Sequence, residues 1–226
     1  MDQMKRFAVY YAPRPGAFAD ATAHWLGWDP VAGASCPQPD LPGIPFPAVL
    51  TAEARRYGFH GTIRAPFRLA EGLPAVAAAE AVAALAARLP AVTCNGLVLE
   101  NLQGFLALTP AGCEAALLEL GAAVVEGTNP LRAPLTAAEI ARRRPESLTP
   151  RQRDLLDCWG YPHVMEEFRF HLTLTDRLPD PDPVIERLEQ HFAPFLPRPF
   201  TVEDLCLFGE DDTGRFHLLH RYALTG

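Results

Sequence analysis

Two His-x-Thr triplets stand about a hundred residues apart in this chain of 226 residues. They span His60–Thr62 and His171–Thr173, and each lies between an aromatic residue and a branched apolar one. An imidazole can accept or donate a proton near neutral pH, and a threonine hydroxyl can donate a hydrogen bond to an anionic oxygen. A single triplet carries little information. Two triplets in matching contexts predict a shared role in acid/base chemistry.

Each triplet lies in a segment that separates into a polar and an apolar face if it forms a β-strand, because side chains alternate along a strand. The segments are "RYGFHGTIRAPF" and "FRFHLTLTDRL". Their polar faces hold, in the first, Gly58, His60, Thr62 and Arg64 and, in the second, Arg169, His171, Thr173 and Thr175. The opposite faces suit a core. We therefore expect the two polar faces to line one cleft.

The order of elements around the triplets repeats as well. Each half of the chain reads as a strand with the triplet, a helix, a strand, a turn and a return strand. This predicts an α+β protein with a duplicated bilobal fold, in which two antiparallel sheets line a central cleft and helices pack outside. We expect a single two-lobed domain over 1–226. Its first lobe covers about 1–130, a helical connector about 131–167, and the second lobe about 168–226.

The connector carries two helix-start signatures, Thr136 with Glu139 and Thr149 with Gln152. Its basic triplet, 142–144, is predicted to be a solvated helix face. Near the start of the chain, 29–47 contains six prolines and must be irregular. That loop could cover a site, or it could be a plain surface excursion.

Composition limits the functions available. The net charge is −7, which disfavours general binding to nucleic acid. No run of eighteen apolar residues is present, and the apolar run near the start is too short for a signal peptide. Five cysteines form no CxxC pair, so we expect neither a disulfide framework nor a zinc site, and we interpret the chain as cytoplasmic.

The paired motifs, His60-Gly61-Thr62-Ile63 and His171-Leu172-Thr173-Leu174, resemble those of the two-histidine (2H) phosphoesterase superfamily. Over nearly the whole chain, "RFAVYYAP" and the two triplet segments are similar to a bacterial branch encoded with phosphonate-metabolism genes. The resemblance implies a bilobal antiparallel fold, no metal, no cofactor, and chemistry on cyclic phosphodiesters or 2′-5′ links. It implies that the catalytic set is His60, Thr62, His171 and Thr173.

Hydrolysis of a cyclic phosphodiester needs one group to deprotonate water and another to protonate the leaving oxygen, and two histidines can do both. Which histidine is the base is left open by the sequence. Arg64 and Arg169 are candidate substrate-binding residues, because a guanidinium can bind phosphate through two parallel hydrogen bonds. Each could instead reach solvent at a strand end. Tyr10 is a further candidate, with Tyr11 as the alternative.

Three functions remain. The first is a metal-independent cyclic phosphodiesterase acting on a small sugar or nucleotide in phosphonate metabolism. The second is an RNA 2′,3′-cyclic phosphodiesterase or 2′-5′ end-processing enzyme, and the third is a non-catalytic protein that binds a phosphorylated ligand.

The expected partner is a small phosphorylated substrate. We expect a monomer, no membrane association, and nucleic acid only as a disfavoured partner. His217 and His220 lie on opposite faces of the last strand, which is poor spacing for a metal site.

Overall fold

The computed structural model describes residues 1, 3–44 and 46–226; Pro45, within the proline-rich loop, lies outside the described residues. The strands are β1 (Arg6–Tyr11), β2 (Trp28–Asp29), β3 (Ala34–Ser35), β4 (Gly61–Phe67), β5 (Val92–Cys94), β6 (Gly96–Leu102), β7 (Phe105–Ala111), β8 (Leu172–Thr173), β9 (Phe200–Val202), β10 (Asp204–Glu210) and β11 (Phe216–Ala223). The helices are α1 (Ala17–Leu26), α2 (Pro47–Leu50), α3 (Ala75–Ala86), α4 (Glu114–Thr128), α5 (Ala137–Arg142), α6 (Pro150–Trp159) and α7 (Asp182–Phe192).

Seven strands form one antiparallel sheet in the order β11-β10-β1-β4-β8-β7-β6. The strands that follow the two histidines, β4 and β8, are neighbours, and the register between them rests on one pair, Gly61 opposite Leu172. Two further sheets of two strands each pair β2 with β3 and β5 with β9. The predicted α+β class with antiparallel strands is confirmed. The two sheets expected from the sequence are continuous through the single pair between β4 and β8.

The two halves of the sheet exchange strands. The hairpin β6–β7 comes from the first half of the chain, yet it pairs with β8 from the second half. The hairpin β10–β11 comes from the second half, yet it pairs with β1. Each half of the sheet therefore contains strands from both sides of the connector. The division of the chain near residues 130 and 168 stays a prediction.

One face of the sheet builds the main core. Phe7, Val9 and Tyr11 of β1 point to this face and are buried, as are Leu205 and Leu207 of β10. The period of two that β-strands impose sends the intervening residues to the other face. There a smaller apolar cluster forms from Ala8, Tyr10, Ala12, Cys206, Phe208 and Phe216. This second face carries the candidate site.

Both predicted helix starts in the connector are confirmed. The Thr136 side chain accepts a hydrogen bond from the backbone N–H of Glu139, and the Glu139 side chain accepts one from the backbone of Thr136. Thr149 and Gln152 make the same reciprocal pair at the start of α6. Such boxes satisfy backbone donors that a helix start leaves unpaired.

The expectation that the cysteines are not disulfide-bonded was wrong. Cys94, at the end of β5, forms a disulfide with Cys113, immediately before α4. Their separation of 19 residues gives no local sequence pattern, and only the fold brings their Cα atoms to 5.1 Å. The inference of a reducing compartment from unpaired cysteines therefore loses its basis. Among the described residues, no helix has the length and apolar character needed to span a bilayer.

Candidate active site

The four predicted catalytic residues lie on one face of the sheet, with the threonines on the adjacent strands β4 and β8 and each histidine immediately before its strand. Gly61 and Leu172 are directly opposite each other in an antiparallel register. In an antiparallel pair, the residue before Gly61 faces the residue after Leu172, and the residue after Gly61 faces the residue before Leu172. His60 therefore lies across from Thr173, and Thr62 lies across from His171. Leu172 points into the core, so its sequence neighbours point to the opposite face. Each histidine is thereby placed beside the threonine of the other motif.

The close approach of the two strands depends on Gly61. A Cβ atom at this position would lie 2.3 Å from Cζ of Phe170, a core residue beside the second motif. No real contact of this kind is that short, so a larger residue would force the buried ring of Phe170, or the strand next to it, to shift. The glycine in the first triplet is thus explained by packing.

The two histidines are held in the same way. Nδ1 of His60 donates to the carbonyl oxygen of Gly58 at 2.9 Å, and Nδ1 of His171 donates to that of Arg169 at 2.8 Å. A carbonyl oxygen can only accept, so each Nδ1 carries the proton of the neutral ring. Nε2 of each ring is then the basic nitrogen. Both bonds span two residues, which repeats the geometry across the two motifs.

Burial lowers the pKa of His60 to about 4, the hydrogen bond to Gly58 opposes this, and the nearby charge of His171 lowers it further. Burial also lowers the pKa of His171, with the charges of Arg169 and His163 acting in the same direction and the hydrogen bond to the Arg169 carbonyl opposing. The pairing of Gly61 with Leu172 places the two motifs side by side, so a charge on the His171 ring disfavours a charge on His60. Both rings are neutral at neutral pH in the absence of an anion.

Aromatic rings surround the histidines. The ring of Tyr10 lies 4.1 Å from that of His60, centroid to centroid, and Tyr57 lies 5.6 Å from it. Phe105 is 5.6 Å from His171. Tyr10 is only 1% exposed, and burial, then the neighbouring Tyr57, raises its pKa. Tyr10 therefore keeps its hydroxyl proton. Tyr11, the alternative candidate, packs in the main core instead.

A cavity of about 620 Å³ opens on this face. Three of the four predicted catalytic residues line it: His60, Thr62 and Thr173. His171 is not among its lining residues and lies at its edge, against Phe105, which does line it. The catalytic role of all four residues stays a prediction.

Arg64 does not reach the cavity. Tyr10 pairs with Thr62, but the next residue on β1, Val9, pairs with Arg64, so β4 holds one extra residue between these pairs. Such a β-bulge reverses the alternation of side chains beyond it. Arg64 is consequently 1% exposed, and its Nη1 donates to the carbonyl oxygen of Trp159 at 2.9 Å. The expectation of a substrate-binding Arg64 is corrected to a buried structural role.

Arg169 also lies away from the lining. Its side chain is 63% exposed, and Nη2 donates to the carboxylate of Glu100 at 2.8 Å. Alternation placed its side chain on the correct face, but the sequence could not show that a carboxylate from β6 would neutralise it. Nothing in the geometry supports a substrate contact for Arg169.

Sequence reasoning missed five arginines that line the cavity: Arg6, Arg56, Arg142, Arg143 and Arg177. Arg142 and Arg143 belong to the basic triplet that was expected to be a solvated face. The triplet itself was the only available signal, because the packing of the connector against β4 is a tertiary feature.

His217 hydrogen-bonds to Asp211 at 2.8 Å, and neither it nor the exposed His220 lines the cavity. The described residues contain no cluster of three or more potential metal ligands.

A family profile described as "Protein of unknown function (DUF1045)" matches residues 62–217, which is more than half of the chain and includes the second motif and Thr62 of the first. The chain belongs to the DUF1045 family. The match begins at the second residue of β4 and ends on β11, so it contains most of β4 and all of β8.

Known proteins similar to this DUF1045 chain include ribose 1,5-bisphosphate phosphokinase PhnN of Janthinobacterium sp. (strain Marseille), which is 37% identical over 222 residues. The alignment covers 94% of this chain and 49% of that protein, so the chain spans about half the length of the relative.

Among solved structures, LigT of E. coli in its apo form is 16% identical over 99% of both chains, with a TM-score of 0.48. A structure described as a phosphoesterase is 16% identical over 99% of both chains, with a TM-score of 0.44. The resemblance to two-histidine phosphoesterases of the phosphonate-associated branch continues to rest on the paired motifs of this chain. Because both TM-scores are below 0.5, they carry no argument about activity. The function of the DUF1045 chain must rest on its own site.

Proposed function

We propose that this DUF1045 protein is a phosphodiesterase that hydrolyses the cyclic phosphodiester of a small sugar or nucleotide without a metal ion. The observation that carries the proposal is the paired arrangement of His60 with Thr173 and of His171 with Thr62 on one face of the sheet. Both rings have Nδ1 occupied by a backbone carbonyl, so Nε2 of each is available for proton transfer. Two such groups beside one phosphorus meet the needs of hydrolysis.

In the proposed reaction, one imidazole accepts a proton from water as the water oxygen bonds to phosphorus. The P–O bond to the ring oxygen breaks, and the other imidazole donates a proton to that oxygen. The threonine hydroxyls donate hydrogen bonds to the non-bridging oxygens, where negative charge increases. Tyr10 supports the ring of His60 by the close contact between the two rings.

We assign the base to His60 and the acid to His171. His60 has a pKa of about 4, so it is neutral and ready to accept a proton over most of the pH range. The negative charge of a bound phosphate raises the pKa of a nearby imidazole, which favours the protonated form that the acid needs. His171 lies at the edge of the cavity, where the leaving oxygen can depart toward solvent.

With His60 as the base and His171 as the acid, kcat/KM should depend on pH. In the free enzyme, kcat/KM should fall as pH decreases through about 4, because His60 then becomes protonated. It should also fall on the alkaline side, where His171 loses its proton, with a midpoint below the usual histidine value of 6.5. An optimum on the acidic side of neutrality is expected. A profile that rises steadily to alkaline pH would contradict the assignment.

The cavity favours a small anionic substrate. Its volume of about 620 Å³ falls in the range of roughly 300–1,000 Å³ that small-molecule sites occupy. Five arginines against three acidic residues, Glu53, Glu139 and Asp176, give the lining a positive balance in a chain of net charge −7. The PhnN relative is named for a phosphorylated ribose, which supports a ribose phosphate as substrate class. We do not extend its kinase activity to this chain, because the GxxxxGK phosphate loop is absent from the sequence.

The test is a panel of ribose 1,2-cyclic phosphate and 2′,3′-cyclic nucleotides, followed by phosphorus NMR in the presence of EDTA. We expect turnover of at least one compound and a loss of about 10²- to 10⁴-fold in H60A and in H171A. H220A is the matched control, because His220 is exposed and lies outside the cavity. Wild-type turnover in either motif variant would refute the mechanism. Salt-sensitive binding of oligonucleotides would instead favour RNA-end processing.

A further inference from the structure

The cavity extends beyond the two motifs. It continues along β4 past Thr62 to Ala65 and Pro66, where residues of the connector form the opposite wall. Thr62 and Pro66 are four residues apart, and a strand rises about 3.3 Å per residue, so this end lies on the order of 10 Å from the motifs. A cyclic phosphodiester alone does not fill that length.

Two arginines of the connector line this distant end. The guanidinium of Arg143 lies 4.7 Å from the centre of the Tyr161 ring, and Arg142 is the last residue of α5. Among the described residues, neither makes an ion pair with a carboxylate within 4 Å or a side-chain hydrogen bond. By contrast, Arg6 and Arg56 in the same lining are paired with Glu210 and Glu53.

The acidic residue of this wall is already neutralised. Glu139 accepts hydrogen bonds from Nε of Arg68 at 3.1 Å and from Nη2 of Arg68 at 3.0 Å, and it also closes the capping box with Thr136. The hydrogen bonds from Arg68 hold the pKa of Glu139 at about 2, so its charge is fixed and compensated. Arg142 and Arg143 are left as uncompensated positive charges.

The connector is fixed in place at this end. The Arg68–Glu139 pair joins α5 to the residue after β4, and the backbone N–H of Ala133 donates to the carbonyl oxygen of Arg68 at 2.8 Å. The two guanidiniums are therefore presented on a wall that is anchored to β4, the strand that carries Thr62 and directly follows His60. Tyr161, whose ring lies against Arg143, also lines the cavity.

We propose that Arg142 and Arg143 form a second anion subsite, which binds a phosphate monoester that the substrate carries about 10 Å from its cyclic phosphodiester. The reaction itself rests on the function proposed above. The substrate class is then a cyclic phosphate of a sugar or nucleoside that is also phosphorylated at its other end. A guanidinium suits this role, because it remains charged and can present two parallel donors to a phosphate.

The kinetic test uses two matched pairs: ribose 1,2-cyclic phosphate and adenosine 2′,3′-cyclic phosphate, each with and without a 5-phosphate. Hydrogen bonds from a charged donor are worth about ten- to hundred-fold each, so kcat/KM should favour the phosphorylated member by at least about tenfold. This preference should largely disappear in R142Q/R143Q. R144Q is the matched control, since Arg144 is exposed, adjacent in sequence and not in the lining. A preference that survives in R142Q/R143Q would overturn the subsite.

A binding test separates failure of the subsite from failure of the proposed reaction. Ribose 5-phosphate contains the monoester but nothing to hydrolyse, and its binding is measured by isothermal titration calorimetry. Wild type and R144Q should bind it, and R142Q/R143Q should bind at least tenfold more weakly. Equal binding by the double variant, with an unchanged melting temperature, would end the subsite proposal even if cyclic phosphates are turned over. Binding lost only in R142Q/R143Q, with no turnover of any cyclic phosphate, would keep the subsite and refute the reaction.

Discussion

Replacing His60 with glutamine should flatten the dependence of stability on pH. In the folded protein the pKa of His60 is about 4, and in the unfolded chain it is close to the usual 6.5. As pH falls from 6.5 to 4, the unfolded chain therefore takes up this proton before the folded protein does. Folded wild type should lose stability over that window, and above pH 6.5 the effect is absent.

The size of this stability change follows from the pKa values of His60 in the folded and unfolded protein. A difference of about 2.5 pKa units, at about 1.36 kcal/mol per unit, gives at most about 3 kcal/mol between neutral pH and pH 4. The ring of His60 is open to the cavity on one side, so the measured effect should approach this limit from below. Protonation of carboxylates in acid also destabilises the folded protein. These carboxylates are present in both wild type and H60Q, so their effect cancels when the two proteins are compared.

The assay is urea unfolding of wild type, H60Q and H220Q at several pH values from about 7 to about 4. The free energy of unfolding of H60Q should fall less than that of wild type, by about 2 to 3 kcal/mol across the range. H220Q controls for exchanging an imidazole for an amide on the exposed edge of β11, and it should follow wild type. If the free energy of unfolding changes with pH in the same way in H60Q and in wild type, burial does not lower the pKa of His60. The assignment of this residue as the base then fails.

Three further variants test the positioning of the site. G61A should lower the free energy of unfolding by about 1–3 kcal/mol and reduce turnover, because its Cβ meets Phe170; unchanged melting would contradict the packing argument. R64A should destabilise the protein by about 3 kcal/mol while KM stays near wild type, whereas a large rise in KM with normal stability would restore a binding role. Removing the disulfide in C94A/C113A should cost about 3 kcal/mol in thermal or urea unfolding, and wild-type stability would show that the link contributes little.

Strand alternation was sufficient to predict where the two motifs face, because a period of two holds wherever a strand is regular. It failed at Arg64, where β4 is not regular. Pro66 was the available warning, since a proline inside a strand often marks a bulge or an edge. The capping boxes were predictable because they depend on residues only three apart.

Features that depend on distant contacts were not accessible from local pattern. The neutralisation of Arg169 by Glu100 joins residues 69 apart, and the exchange of hairpins between the two halves of the sheet joins strands from opposite ends of the chain. The internal repeat suggested that each half would build its own sheet. No local sequence pattern shows which half of the chain supplies the neighbouring strand in an antiparallel sheet.

The pairing of β1 with β10 sets a limit on how early this protein can acquire its candidate site during synthesis. Tyr10, whose ring contacts that of His60, lies opposite Cys206, nearly two hundred residues further along the chain. At about 5–20 residues per second, a ribosome needs about 10–40 seconds to supply that neighbour. Until then β1 can pair at most with β4, on one side, and such long-range pairing is slow in any case. Nascent chains should therefore be most open to chaperones, and most exposed to proteases, until the final hairpin emerges.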